Sequence, residues 1–161
     1  MLYVKNGRVL TMAGKIFENG QVVIENGKIK AVGEKLSCPD PEEVIDAQGG
    51  WILPGLVEAH CHIGITEEKK GFEGDDCNEV NQPVIPYLKA LDAVNPMDPA
   101  FHNALSAGIT AVMVGPGSSN VVGGQFLVMK THGRVIDRML VKEPAAMKIA
   151  FGENPKTNYS G

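Results

Sequence analysis

Cysteine is scarce in this sequence and badly spaced for chemistry. Cys38, Cys61 and Cys77 are the three thiols, odd in number and without a C-x-x-C pair, which excludes a disulfide framework, a zinc ribbon and a dithiol redox site. They read as reduced. A basic excess is also missing: 15 Lys and Arg stand against 19 Asp and Glu, for a formal net charge of -4. The scattered cations leave no electrostatic footprint for a nucleic-acid backbone or an anionic membrane, so neither partner is expected. No run approaches the roughly 20 apolar residues of a membrane span. Met1 to Gly7 lacks the charged and apolar regions of a signal peptide, and the expectation is a cytoplasmic protein. The glycosylation-like triplet Asn158-Tyr159-Ser160 carries no weight without a secretory signal. Internal repeats and low-complexity tracts are absent as well.

What is present is enough apolar material for a core: 43% of 161 residues are hydrophobic, which suits one domain or two small ones. Three Asn-Gly pairs, at residues 6, 19 and 26, favour the positive φ angles of tight hairpin turns. Two of them lie between strand-like runs, Tyr3–Lys5 with Arg8–Leu10 and Val22–Glu25 with Lys28–Val32, and predict antiparallel hairpins. Pro39 and Pro41 interrupt the pattern with a loop, and Val44–Ala47 resumes it as a short strand. After Gly49-Gly50 an apolar run leads into Leu56–His62, which suits a buried parallel strand. Residues 64–97, with several acids, glycines and prolines, read as a long excursion, of the kind that is functional or disordered. Asp98-Pro99 predicts a helix start with an apolar stripe at Phe101, Ala104, Leu105 and Ile109, closed near Gly108. Thr110–Val114 is a second apolar strand, so strand, helix and strand form a βαβ unit. Phe126–Met129 and Arg138–Val141 predict one more hairpin.

The sharpest chemical feature is His60-Cys61-His62. Residues two apart on a strand share a face, so both imidazoles project to one side and Cys61 to the other, toward core packing. Two imidazoles at the C-terminal end of a strand can share one transition-metal ion. The loop Gly115-Pro116-Gly117-Ser118-Ser119-Asn120 also follows a strand. Its backbone N–H groups, with Gly115, Gly117, Ser118 and Asn120 foremost, are candidates to bind a substrate carboxylate or phosphate. A plain loop is the competing reading. A nucleotide-binding protein is disfavoured, because the loop lacks the Gly-Lys-Ser/Thr of a P-loop and the third glycine of a dinucleotide fingerprint. Glu67, Glu68, Glu73, Asp75, Asp76 and Glu79 form an acidic stretch that reads as a solvated face, with contact to a cationic substrate or a second ion as the alternative.

Asp46, Gly49, Pro54-Gly55-Leu56-Val57-Glu58, His60 and His62 follow in the order of a "D-x-x-G" approach and a "P-G-x-[ILV]-[DE]-x-H-x-H" strand. Ala107-Gly108-Ile109-Thr110-Ala111-Val112 matches "A-x-x-G-[IV]-T-[TS]-V" only loosely. In this combination the chain resembles the amidohydrolase superfamily, and within it the imidazolonepropionase-like branch. The resemblance implies an α/β fold with an all-β N-terminal part. Residues 1–50 would form an antiparallel composite β domain, and residues 51–161 the first strands of an incomplete TIM-like (β/α)8 barrel. It implies hydrolysis of a non-peptide carbon-nitrogen bond, in an amide or cyclic amide of a small molecule, by metal-activated water. The cofactor would be a divalent transition metal, zinc first, with iron, manganese or nickel as alternatives, and His60 and His62 its first two ligands.

The family takes its further ligands from a Lys or Glu after a middle strand, two later histidines and a late aspartate, and no catalytic residue is assigned here. His102 and His132 read as surface residues. Lys130 and Lys148 are set aside, since neither is placed at the end of a middle barrel strand. From residue 56 onward fewer than half of the roughly 250 residues of a complete barrel remain, which reads as the N-terminal part of a longer enzyme. The competing reading is a catalytically inactive module that self-associates, and in either case exposed sheet edges favour a homo-oligomer.

Overall fold

The computed structural model describes residues 1–159. The chain divides into two compact units, Met1–Pro54 and Gly55–Gly161. In the first, β1 (Leu2–Leu10), β2 (Ile16–Glu25) and β3 (Lys28–Gly33) form an antiparallel meander, while β4 (Glu43–Asp46) and β5 (Trp51–Ile52) pair in parallel with the free side of β1. Asn26 and Gly27 both have positive φ, 52° and 71°, as the tight turn between β2 and β3 demands. Val9, Val22 and Val23 are buried in this sheet. Trp51 and Ile52, which the sequence assigns to the second segment, add to the first sheet instead.

Asn6-Gly7 makes no hairpin, contrary to its sequence pattern. The strand runs through it as a bulge, with Asn6 at φ 57° and the register to β2 shifting on either side of Gly7. The reason lies 40 residues away. Asp46 accepts from Gln48 N and Asn6 Nδ2, each at 2.9 Å, and Gly49 N donates to Asn6 O at 2.7 Å. The turn between β4 and β5 therefore docks on the bulge, and the extra residue in β1 is the matching half of that junction.

In the second unit β6 (Leu56–Cys61), helix α1 (Pro99–Ser106) and β7 (Ile109–Val114) form the expected βαβ unit, with β6 parallel to β7. Asp98 caps the helix, accepting from Ala100 N at 3.0 Å, with proline at its first position. Ile109 belongs to β7 rather than to the helix stripe. β8 (Val122–Gln125) is followed by β9 (Leu127–Lys130), α2 (Ile136–Met139), β10 (Leu140–Lys142), β11 (Met147–Ile149) and α3 (Glu153–Tyr159). The sheet order is β10-β9-β7-β6, with β9 antiparallel to both its neighbours, and β8 pairs separately with β11. A mixed sheet of this kind departs from the all-parallel start of a barrel.

One face of the four-stranded sheet carries the core. Val112 and Val114 from β7 and Leu127 and Met129 from β9 alternate inward, against Phe101 of α1, Met139 of α2 and Ile65, Ala90 and Val94 of the long excursion. Burial of each such side chain is worth about 1.5–3 kcal/mol, so residues 64–97 are an ordered, packed part of the unit. β6 is an edge strand, and Leu56 and Val57 on it are 55% and 67% exposed. That differs from the two-sided burial its apolar sequence predicts. No helix among the described residues is long and apolar enough to cross a membrane.

Candidate metal centre

β6 ends where His62 begins a tight turn, its carbonyl accepting from Ile65 N at 3.1 Å and Thr66 N at 2.9 Å. The period of the strand then does what the sequence demands. The His60 and His62 rings lie 5.2 Å apart, edge to face at 81°. Cys61 turns to the other face, packing on the core with Sγ 3.6 Å from Met113 O. Burial pushes the Cys61 thiol up, only partly offset by the Ile63 N–H, and the charge on Glu58 adds to the rise. A protonated, inward-facing thiol is not a ligand.

The proton positions on both imidazoles follow from their partners. Gly115 O lies 2.7 Å from His62 Nδ1, and a carbonyl only accepts, so Nδ1 carries the hydrogen and the neutral ring presents its lone pair at Nε2. Lys148 Nζ lies 3.3 Å from His60 Nε2. An ammonium only donates, so this Nε2 also presents a lone pair. Lys148 comes from β11, whose register pairs it with Gly124 of β8. The sequence reading sets Lys148 aside, and a strand that could not be placed from sequence brings it beside His60.

The donor set suits a divalent transition metal. The 3.3 Å between His60 Nε2 and Lys148 Nζ is a hydrogen-bond distance, so the imidazole pair would be the first to take such an ion. Neutral imidazoles are the nitrogen ligands such ions prefer. Lysine would join them only as the neutral amine, because an ammonium has no lone pair. Among the described residues no third His, Cys, Asp or Glu completes a cluster with the pair.

The loop after β7 is placed less as a cradle than as a brace. Gly115 sits beside the histidines through its carbonyl. Gly117 N donates to Cys77 O at 2.7 Å, Ser118 Oγ accepts from Asn154 Nδ2 at 2.9 Å, and the buried Asn120 amide serves Glu79 O, Gln82 O and the Tyr159 hydroxyl. The Gly117 backbone N–H and the Asn120 side-chain amide are thus engaged within the fold. His102 and His132 are exposed and line a separate cavity of about 540 Å³ with Arg134. Of the acidic stretch, Glu67 and Glu68 accept from Asn95 and Asn103, while Asp75, Asp76 and Glu79 line a cavity of about 420 Å³ that Gly123 also borders.

No family model matches the chain. Among solved structures it is similar to an amidohydrolase from Thermotoga maritima, with 45% identity and a TM-score of 0.93 over 99% of this chain and 41% of that one. Among curated proteins it is 39% identical to a dihydroorotase of Trichlorobacter lovleyi over 98% of this chain and 37% of that protein. It is 34% identical to an amidohydrolase of Hapsidospora irregularis over 85% of this chain and 15% of that protein. The chain therefore spans well under half the length of each of these relatives.

Proposed function

Because the chain belongs to the amidohydrolase superfamily, we propose that it carries the metal-anchoring part of an enzyme that hydrolyses a non-peptide carbon-nitrogen bond in a small amide or cyclic amide. His60 and His62 are the first nitrogen donors, with Lys148 joining as the neutral amine, and zinc is the first choice of metal, with iron, manganese or nickel as alternatives. The observation that carries the reading is the imidazole pair at the end of β6, its rings 5.2 Å apart and the Nδ1 of the second committed to Gly115 O. When bound, such a metal supplies the Lewis acidity that brings the pKa of its water down to about 7.

The chain's own contributions are orientation and exclusion. Gly115 O fixes the His62 tautomer and ring plane, and hydrogen bonding at the remote nitrogen of this kind raises ligand basicity. Glu58 Oε1 accepts from His60 N at 3.1 Å and steadies the end of β6. Cys61, turned into the core, keeps its sulfur out of the ligand set. The dihydroorotase relative supports a cyclic amide of dihydroorotate type as the substrate class. A cavity of about 420 Å³ lined in part by Asp75, Asp76 and Glu79 is of small-molecule size and is bordered by Gly123 of β8, which faces the Lys148 side chain.

Metal titration tests this directly. The chain should bind one equivalent of cobalt(II) with the absorption of a nitrogen-ligated site, and His60→Ala, His62→Ala or Lys148→Ala should each weaken it about tenfold or more. Equal affinity in His60→Ala would remove the reading. A second reading keeps binding but not turnover: Glu58, the carboxylate beside the pair, accepts from His60 N, whereas general acid-base chemistry needs a proton acceptor aimed at the substrate. Turnover of dihydroorotate by the zinc-loaded chain, abolished in His60→Ala, separates the two.

A further inference from the structure

Phe126 attracts no notice in the sequence beyond its place in a strand-like run, yet it stands at the junction of everything that positions the three nitrogens. It is the single residue between β8 and β9, where the chain leaves the two-stranded sheet for the four-stranded one. Its backbone bonds in both directions to the segment that enters β11: Phe126 N donates to Ala146 O at 2.9 Å and Ala145 N donates to Phe126 O at 2.8 Å. Lys148 follows two residues later. Its ring, 3% exposed, lies 5.5 Å from the His60 ring at a tilt of 43°, within the range of a favourable aromatic pair. The same ring occupies the space at Gly115 where a side chain would begin, so that a Cβ added there would run into it. Gly115 in turn supplies the carbonyl that holds His62 Nδ1. A residue that merely filled the interior would belong to the main apolar cluster, and Phe126 does not; that cluster gathers Phe101, Val112, Val114, Leu127 and Met129.

We propose that Phe126 is a positioning residue for the metal donors: its ring braces the His60 imidazole directly and, through its fit against Gly115, sets the carbonyl that orients His62. The metal part of this inference rests on the proposed function, while the ring-orientation part does not. The absence of a Cβ at Gly115 is the complementary half of the device. A methyl group there and the phenyl ring cannot both hold their places, so the two positions are energetically coupled.

The test uses the full chain, with Phe126→Leu, Gly115→Ala and a double variant that combines Gly115→Ala with Phe126→Ala, beside wild type. In the metal-free proteins, long-range nitrogen-proton NMR of the histidine rings reads the tautomers. Wild type should show His62 as the Nδ1–H form, Gly115→Ala a mixture, and the double variant a recovery, because Phe126→Ala removes the Cγ, Cδ1 and Cε1 that the added methyl would meet. Cobalt(II) affinity should fall about 10–100-fold in each single variant, as loss of an outer-shell support does. Unchanged ring signals and unchanged cobalt(II) affinity in Phe126→Leu, with only a lower melting temperature, would overturn the proposal. Should Phe126→Leu fail to fold, Gly115→Ala decides in the same way. A wild type that takes up no cobalt(II) would sink the metal reading, and the tautomer measurements would still decide the role of Phe126.

Discussion

At Asn120 one amide nitrogen faces three acceptors, Glu79 O and Gln82 O at 2.7 Å and the Tyr159 hydroxyl at 2.8 Å, from a side chain 1% exposed. Two hydrogens must be shared among them. Asn120→Ala removes the buried donor, leaving Gln82 O with the Tyr159 hydroxyl at 2.9 Å and Glu79 O without this partner, and should cost roughly 1–3 kcal/mol, read as a lower denaturant midpoint at unchanged slope. A midpoint equal to wild type would show that these bonds contribute nothing net. Asp46 works at the surface and through pH. Its carboxylate accepts from the Gln48 N–H and from Asn6, and these bonds, the first the stronger, hold its pKa below the ordinary 3.8. A depressed carboxylate contributes stability above its unfolded pKa and loses it as pH falls through the folded value. Asp46→Asn should therefore melt below wild type near neutrality, with the difference closing in acid below pH 3.8. A gap that persists unchanged into acid would mean that shape and not charge is what Asp46 supplies. Neither role is visible from the residue alone. Asn120 follows a Gly-Ser run that resembles a ligand loop, and its partners sit 38 to 41 positions away.

Elements held by local contacts are the ones a reader of the sequence finds. The Asn26-Gly27 turn needs only its own two positive φ angles, and α1 needs only Asp98 before Pro99. The same holds for the histidine pair, whose shared face follows from the period of a strand. Asn6-Gly7 misleads, because the force that turns it from hairpin to bulge comes from the 46–49 turn. Lys148 escapes notice for a similar reason: β11 is three residues long and reaches the site only by pairing with β8. Asp98 tests how much the local element depends on its surroundings. Buried at 3% exposure, it caps α1 and also accepts from Glu68 N at 3.2 and 3.3 Å, so it ties the helix to the excursion. Loss of a cap costs about 1 kcal/mol, and a second buried donor left unpaired adds to it. Asp98→Ala should thus lower stability by more than a cap alone, and hydrogen exchange should speed at Glu68 N as well as in the first turn of α1. Faster exchange confined to the helix would show that Glu68 N finds another partner.

At the scale of the whole molecule the second unit presents an open problem in water. Among the described residues β6 pairs with β7 alone, which leaves its other side open, and Glu58, bonded to His60 N, is the one charged side chain along Leu56–Cys61. Two of its apolar side chains stand largely exposed, Leu56 at 55% and Val57 at 67%. Edge strands of this kind pair with whatever strand arrives, and for an isolated chain the most abundant arrival is a second copy of itself. A symmetric dimer through β6 would pair its open side and cover both side chains at once. It would also bring two His60-His62 pairs toward one interface, so that metal uptake and association should be linked, each strengthening or weakening the other by the same factor. Sedimentation velocity at micromolar concentration should therefore show a dimer, and Val57→Lys, which puts a charge on the edge, should weaken it about tenfold or more. A monomer under those conditions, with the same sedimentation in wild type and Val57→Lys, would mean that β6 stays open and that its exposed residues do not drive assembly.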